Sequence, residues 1–227
     1  AAGFDKDGKA LLAWQALGFG FVEIGTVTPL PQSGNPRPRL FRFPAQKAVV
    51  NGMGFNNDGV DAVVGRIRKA RAKLHIPVGL NIGKGRETPL ENAISDYTTC
   101  LEKAYQDVDF FVINISSPNT PQLRDLQQGA YFAHLLSRLE MRSFELSRLH
   151  NTQRRPLFVK LSPDVSDEEL LQILAVCKKQ RIAGLVATNT TTDYGLLREA
   201  GEKGGISGRP LFEKSTTFLR RLHKLGG

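Results

Sequence analysis

Apolar and polar positions follow two periods along this chain, and the periods alternate. Short apolar runs recur at Gly20–Thr26, Ile76–Ile82, Asp109–Ile113, Pro156–Leu161 and Ile182–Thr188. Near-continuous apolar runs of this length read as strands buried on both faces. Between them the pattern turns helical, over about Asp7–Leu17, Asp58–Leu74, Thr88–Tyr105, Gln128–His150, Ser166–Gln180 and Phe212–His223. In the second of these, Val60, Val63, Val64 and Ile67 share one face. Thr88-Pro89-Leu90-Glu91 and Ser166-Asp167-Glu168-Glu169 read as capping boxes, the first with Pro at the first helical position. A Pro- and Gly-rich stretch from Pro29 to Asn51 interrupts the alternation and predicts a hairpin around Pro38–Phe43. Gly204, Gly205 and Gly208 read as a flexible loop before the last helix.

Alternating βα units predict an α/β fold with a parallel sheet covered by helices. If Ala1–Phe4 is the tail of a first strand, about six units are present. Either an open doubly wound sheet or a (β/α)8 barrel cut short satisfies that count. In both, ligands bind at the C-terminal ends of the strands. There the chain offers Asp5 and Lys6, then Thr26, then Asn81 and Lys84, then Asn114, Ser116, Ser117 and Asn119, then Lys160, then Thr188, Asn189, Thr190 and Thr191. Asn51-Gly52-Met53-Gly54-Phe55 follows the hairpin. Each amide supplies a donor and an acceptor, so several together suit a planar ligand with adjacent C=O and N–H groups, such as a pyrimidine or a flavin ring. Lys160 lies within an apolar strand and must be paired or face a polar cavity. Taken singly, Lys6 also reads as a solvated rim lysine and Thr26 and Thr188 as plain strand formers. Ser116 or Ser117 also reads as a turn residue before Pro118. The joint pattern carries the expectation of a site.

Composition narrows the classes. The 227 residues are 41% hydrophobic and 23% charged, with no apolar run long enough to span a bilayer. Much of the +9 net charge falls at helix ends, as in Arg66, Arg68, Lys69, Arg71 and Lys73, where cations favour the helix dipole. No aromatic residues interleave with them, so no nucleic-acid surface is expected; attraction to an anionic membrane stays open. Cys100 and Cys177 belong to no C-x-x-C and are expected as buried free thiols in helices, which fits a reducing compartment. There is no H-E-x-x-H, and no metal site is expected. No G-x-S-x-G surrounds Ser117, Gly18-Phe19-Gly20 precedes rather than follows a strand, and Gly83-Lys84-Gly85-Arg86 lacks phosphate-loop spacing.

Several segments together resemble the dihydroorotate dehydrogenase family. They are Ala1–Lys6, Glu23–Pro29, Asn51–Asn57, Asn114–Asn119, Ala187–Thr191 and Gly204–Pro210, in the family's order. The resemblance implies a (β/α)8 TIM barrel with a small β-hairpin insert, holding FMN at the strand C-termini and oxidising dihydroorotate to orotate in pyrimidine synthesis. Ser117 stands where the first class of the family carries a Cys base, which points to the second, membrane-associated and quinone-reducing class; the hairpin insert agrees.

By position, the resemblance implies Ser117 as the base. It places substrate on Lys6, Asn51, Gly52, Met53, Gly54, Phe55, Asn114, Asn119, Asn189 and Thr190. It places FMN on Ala2 and Gly3 backbone, Lys6, Thr26, Asn81, Asn114, Lys160, Thr188 and Gly208. It also implies a quinone partner, a monomer, and peripheral attachment to a bacterial cytoplasmic or mitochondrial inner membrane. Residues 1–227 then form a single barrel domain, expected to be a fragment without the family's N-terminal membrane segment and last two βα units, and to bind FMN weakly or not at all. Two other readings accompany this one. One is an FMN barrel oxidoreductase acting on another dihydropyrimidine or on dihydrouridine. The other is a catalytically incompetent binding module.

Overall fold

The computed structural model describes residues 3–127, 129–201 and 204–226. Its strands are β1 (Val22–Val27), β2 (Leu40–Phe43), β3 (Ala48–Asn51), β4 (Val78–Ile82), β5 (Phe110–Asn114), β6 (Leu157–Leu161), β7 (Gly184–Ala187) and β8 (Gly205–Gly208). Its helices are α1 (Leu11–Ala16), α2 (Val60–Arg71), α3 (Ala93–Ala104), α4 (Gly129–Leu149), α5 (Asp167–Lys179) and α6 (Arg209–Gly226).

Five strands pair in parallel in the order β1-β4-β5-β6-β7. The order follows the chain without reversing. A doubly wound sheet reverses at a switch point, so this order is the wall of a barrel. Every residue of β4 is buried, as the near-continuous apolar run demands. Val60, Val63, Val64 and Ile67 of α2 are buried together, as their spacing predicts. They join Ile24, Leu80, Ile113, Leu135, Val159 and Phe218 in one core between the sheet and its helices.

The cations ending α2 are tied down. Arg68 makes a two-pronged contact to Asp107 and Arg71 another to Asp109, whose carboxylate also accepts the Val78 N–H. These bonds fix the helix end to the loop entering β5. Cys100 and Cys177 are free and buried in α3 and α5, as expected. Ser166 caps α5 with a complete capping box.

Four expectations are corrected. The first helix begins only at Leu11, because Gly8 adopts a positive φ and the Asp5 carboxylate accepts the Lys9 and Ala10 N–H groups ahead of it. Thr88-Pro89-Leu90-Glu91 forms no capping box. Pro89 leads into a 3-10 turn at Leu90–Asn92 with no side-chain cap, and the Thr88 carbonyl instead accepts from Lys84 Nζ at 2.6 Å. The glycine-rich loop contains β8, paired antiparallel with β3 to complete a three-stranded sheet, β2-β3-β8, rather than a lone hairpin. A Cβ on Gly204 would lie 2.1 Å from the Asn51 carbonyl oxygen, so the approach needs glycine. Val50 and Ile206 are fully buried in the small core beneath this sheet. Of the expected first strand, Ala1 and Ala2 lie outside the described residues. Gly3 and Phe4 form a turn, with the Gly3 N–H on the Gly25 carbonyl beside β1. The parallel strands described are therefore five, one fewer than the sequence count.

Leu80 is fully buried at the centre of the sheet. Leu80→Ala should lower stability by about 2–5 kcal/mol, read from urea unfolding. A loss below about 1 kcal/mol would show that this sheet does not organise the core.

Candidate active site

The strands β1, β4, β5 and β6 deliver Thr26, Asn81, Asn114 and Lys160 near one end of the sheet. The register sets Gly25 beside Asn81 and Asn114 beside Lys160. Three of these side chains form a closed, buried group. Thr26 Oγ1 donates to Asn81 Oδ1 at 2.5 Å, and Asn114 Nδ2 donates to Thr26 Oγ1 at 2.9 Å and to Asn81 Oδ1 at 3.2 Å. Asn81 Nδ2 donates to Glu23 Oε1 at 2.7 Å. A carboxylate only accepts, so Glu23 decides which way the Asn81 amide faces. Asn81 Oδ1 must then accept from Thr26 and Asn114. This leaves Asn114 Oδ1 for the Ser116 N–H, the Ser116 hydroxyl and Asn189 Nδ2. Tyr97 donates its hydroxyl to the Asn114 main-chain carbonyl at 2.9 Å and anchors the same residue from α3.

A second group surrounds Ser117, which is buried. Its Oγ accepts the Asn119 N–H at 3.3 Å, so its own proton is not committed by that bond. Asn119 Nδ2 donates to the carbonyl and side-chain oxygens of Asn51. Asn35 Nδ2 bridges the Gly52 and Asn119 carbonyls. Together these bonds hold the Asn51–Phe55 segment against the loop after β5. They border a cleft of about 480 Å³ lined by Asn35, Arg39, Gly52, Pro118, Asn119 and Tyr194, among others.

The ammonium groups of Lys6 and Lys160 have no hydrogen bond or ion pair among the described residues. Lys160 is 8% exposed. Burial holds the Lys6 pKa below the ordinary lysine value; Asp7 opposes this, while the positive charges of Arg39 and Lys160 reinforce it. A buried cation such as Lys160 is costly without a counter-ion, and an anionic ligand beside Lys160 and the half-buried Lys6 would relieve that cost. The Thr190 and Thr120 hydroxyl oxygens are likewise buried and have no partner among the described residues. Two unpaired cations, spare hydroxyls and oriented amides fit a flavin together with a small carboxylate ligand. No cluster of metal-ligating side chains occurs among the described residues.

The predicted residues are thus gathered unequally. Hydrogen bonds join Thr26, Asn81, Asn114 and Asn189 in one group and Asn51, Met53, Ser117 and Asn119 in another. Asn189 Oδ1 also accepts the Thr190 N–H. Gly54 lies against Asn35, and Phe55 is buried in the main core. Thr188 follows β7 and is half-buried, with no hydrogen bond to a described residue; Gly208 is exposed, opposite Ala48 at the end of β8. Ala2 lies outside the described residues. Two other rim residues serve structure. Asp5 accepts the Lys9 and Ala10 N–H groups ahead of α1 and the Trp14 Nε1–H, and Lys84 spends its ammonium on the Gly85 and Thr88 carbonyls. Glu23 was missed, although the logic applied to Lys160, a charge inside an apolar strand, finds it. Asp164 was also missed. It lies three residues beyond the end of β6, where the strand-end rule would have placed it.

A sequence profile described as dihydroorotate dehydrogenase matches residues 1–226. The chain is 47% identical over its whole length to the dihydroorotate dehydrogenase (quinone) of Vibrio parahaemolyticus, covering 68% of that protein. It is 48% identical over 98% of its length to the enzyme of the same name from Stenotrophomonas maltophilia, covering 64% of it. The crystal structure of DHODH from Eimeria tenella in complex with ferulenol superposes with a TM-score of 0.91 at 38% identity, over 100% of this chain and 65% of that one. The chain thus spans about two thirds of the length of these relatives.

The Asp164 carboxyl is held down to about 2: burial opposes ionisation but is outweighed by bonds from Lys214, Thr191 and the Thr192 N–H. A depressed carboxyl pKa stabilises the fold above the unfolded-state value and loses that contribution as pH falls through the folded-state value. Between pH 4 and pH 2, stability measured by urea unfolding should therefore fall by about 2 kcal/mol more in the parent than in Asp164→Asn. Parallel curves for the two proteins would contradict the assignment.

Proposed function

Because the chain belongs to the dihydroorotate dehydrogenase family, we propose that it forms the substrate and cofactor face of an enzyme oxidising dihydroorotate to orotate, with a quinone as electron acceptor. The observation that carries this reading is the buried Ser117 in the loop after β5, on the same loop as Asn119 and following Asn114, which sits beside Lys160 in the sheet. The reaction is a step of pyrimidine synthesis. The family is flavin-dependent, and FMN is the flavin proposed here. When bound, FMN supplies the acceptor for the hydride leaving substrate C6.

The chain's own residues do the rest. Lys6 neutralises the substrate carboxylate; its unpaired ammonium favours dihydroorotate over an uncharged dihydropyrimidine. Asn51, Asn119, Asn189 and Thr190 read the ring's carbonyl and N–H groups, with Asn114 shared between substrate and flavin. Backbone from Gly52 to Phe55 closes the substrate side. Thr26, Asn81, Lys160, Thr188 and the backbone at Gly3 and Gly208 hold FMN. Lys160 would place a positive charge beside the bound flavin ring.

Ser117 Oγ takes the C5 proton. A serine is a weak base at neutral pH, so substrate oxidation speeds up as pH rises. A quinone is a membrane-dissolved partner, and the full-length protein is accordingly assigned to a membrane surface, the bacterial cytoplasmic membrane if it resembles its bacterial relatives. No helix among the described residues is long and apolar enough to cross a membrane.

Anaerobic stopped flow on the full-length, FMN-loaded protein tests the reading. Dihydroorotate should bleach the flavin, while dihydrouracil does so poorly. Ser117→Ala should slow bleaching by about 10²-fold or more with flavin content unchanged. Near-normal bleaching in the variant would remove Ser117 from the role of base.

A further inference from the structure

Beside the site lies a charged cluster without a role in the reading above. Asp164 follows β6 in the segment Ser162-Pro163-Asp164, and its side chain is 19% exposed. Its Oδ1 accepts from the Thr191 hydroxyl at 2.5 Å and pairs with Lys214 of α6 at 2.8 Å. Its Oδ2 accepts from the Thr192 N–H at 3.0 Å and from Arg124 Nη1 at 3.2 Å. Arg124 reaches onward. Its Nε donates to the Ser116 carbonyl at 3.2 Å, and Nη1 also donates to the Thr192 hydroxyl at 3.2 Å. Nη2 donates to the Thr190 carbonyl at 3.5 Å.

These bonds join two loops from different strands. One carries Ser116 and Ser117 after β5, and the other carries Asn189, Thr190, Thr191 and Thr192 after β7. We propose that Asp164 and Arg124 are a positioning pair that fixes the serine-bearing loop relative to the loop reading the substrate ring. This rests on the functional reading given above. Neither residue contacts the substrate in that reading; both act through their neighbours.

The chemistry of the pair suits the task. Arg124 is a planar fork, and its donors serve Ser116, Asp164, Thr192 and Thr190 without rotating relative to one another. A carboxylate is required opposite it. Donors converge on Asp164 from Thr191, Thr192, Lys214 and Arg124, and an amide there would turn one N–H toward another donor. Partial burial of the ion pair makes loss of one partner more disruptive than loss of a fully exposed bridge. A shift of about 1 Å between base and substrate costs on the order of 10²-fold in rate. Lys6 and Asn51 bind substrate from outside the two linked loops, so affinity suffers less than rate.

The test uses the full-length FMN-loaded protein and the variants Asp164→Asn and Arg124→Gln. Flavin reduction by dihydroorotate and reoxidation by a soluble quinone are followed separately, per bound flavin. In both variants the limiting reduction rate should fall about 10-fold or more, the dihydroorotate dissociation constant should move less than about threefold, and reoxidation should be unchanged. A purely structural role would lower flavin content or thermal stability and leave the reduction rate per bound flavin intact. That rate staying within twofold of the parent in either folded variant would overturn the proposal. If the parent itself is not reduced by dihydroorotate, the functional reading fails instead.

Discussion

The contact between Glu23 and Asn81 is the constraint on which the polar floor of this protein depends. A side-chain amide can face either way, and a cluster of amides has many near-equivalent hydrogen-bond patterns. Glu23 removes the choice, because its carboxylate accepts from Asn81 Nδ2 at 2.7 Å and has no proton to give back. The consequence passes from Asn81 to Thr26 and Asn114, and from Asn114 to Ser116 and Asn189. One acidic side chain in β1 thereby orients polar groups contributed by β4, β5 and the loop after β7. A ligand with fixed donors and acceptors meets a surface already set to receive it, so little ordering is left to the moment of binding.

That surface exists because of the order of the sheet. Successive parallel strands lie side by side, so residues far apart in sequence become neighbours at one end. Thr26, Asn81 and Asn114 are separated by more than 30 residues at each step and yet share hydrogen bonds. The small sheet of β2, β3 and β8 adds the second half of the site. It supports Asn51 and the glycine-rich turn after it, which Asn119 and Asn35 tie to the loop bearing Ser117. The candidate site thus draws its polar groups from the barrel wall on one side and from the inserted sheet on the other. Among the described residues, the ammonium groups of Lys6 and Lys160 have no partner.

Much of this is legible in the sequence. Apolar strand runs, the face of α2 and the capping box at Ser166 are local patterns, and each appears where its period or spacing puts it. Reading the residues that follow each strand recovers Thr26, Asn81, Asn114, Ser117, Lys160 and Asn189. What escaped depends on contacts between distant segments. Gly204–Gly208 resembles a flexible loop until β3 is present to pair with it. Thr88 and Glu91 have the letters of a capping box, but Lys84 claims the Thr88 carbonyl. Lys84 and Asp5 occupy strand-end positions and are consumed by structure. Sequence gives a side chain's position along a strand, while its partners decide whether it remains free for a ligand.

A crystal structure of the full-length protein with FMN and orotate tests the central claim most directly. The pyrimidine of orotate should lie between the flavin and Ser117, with its carboxylate on Lys6 and its ring on Asn51, Asn119 and Asn189. The flavin should rest on Thr26, Asn81, Asn114 and Lys160, with Glu23 still holding the Asn81 amide. Orotate bound away from Ser117, or Asn81 turned so that its carbonyl faces Glu23, would contradict it.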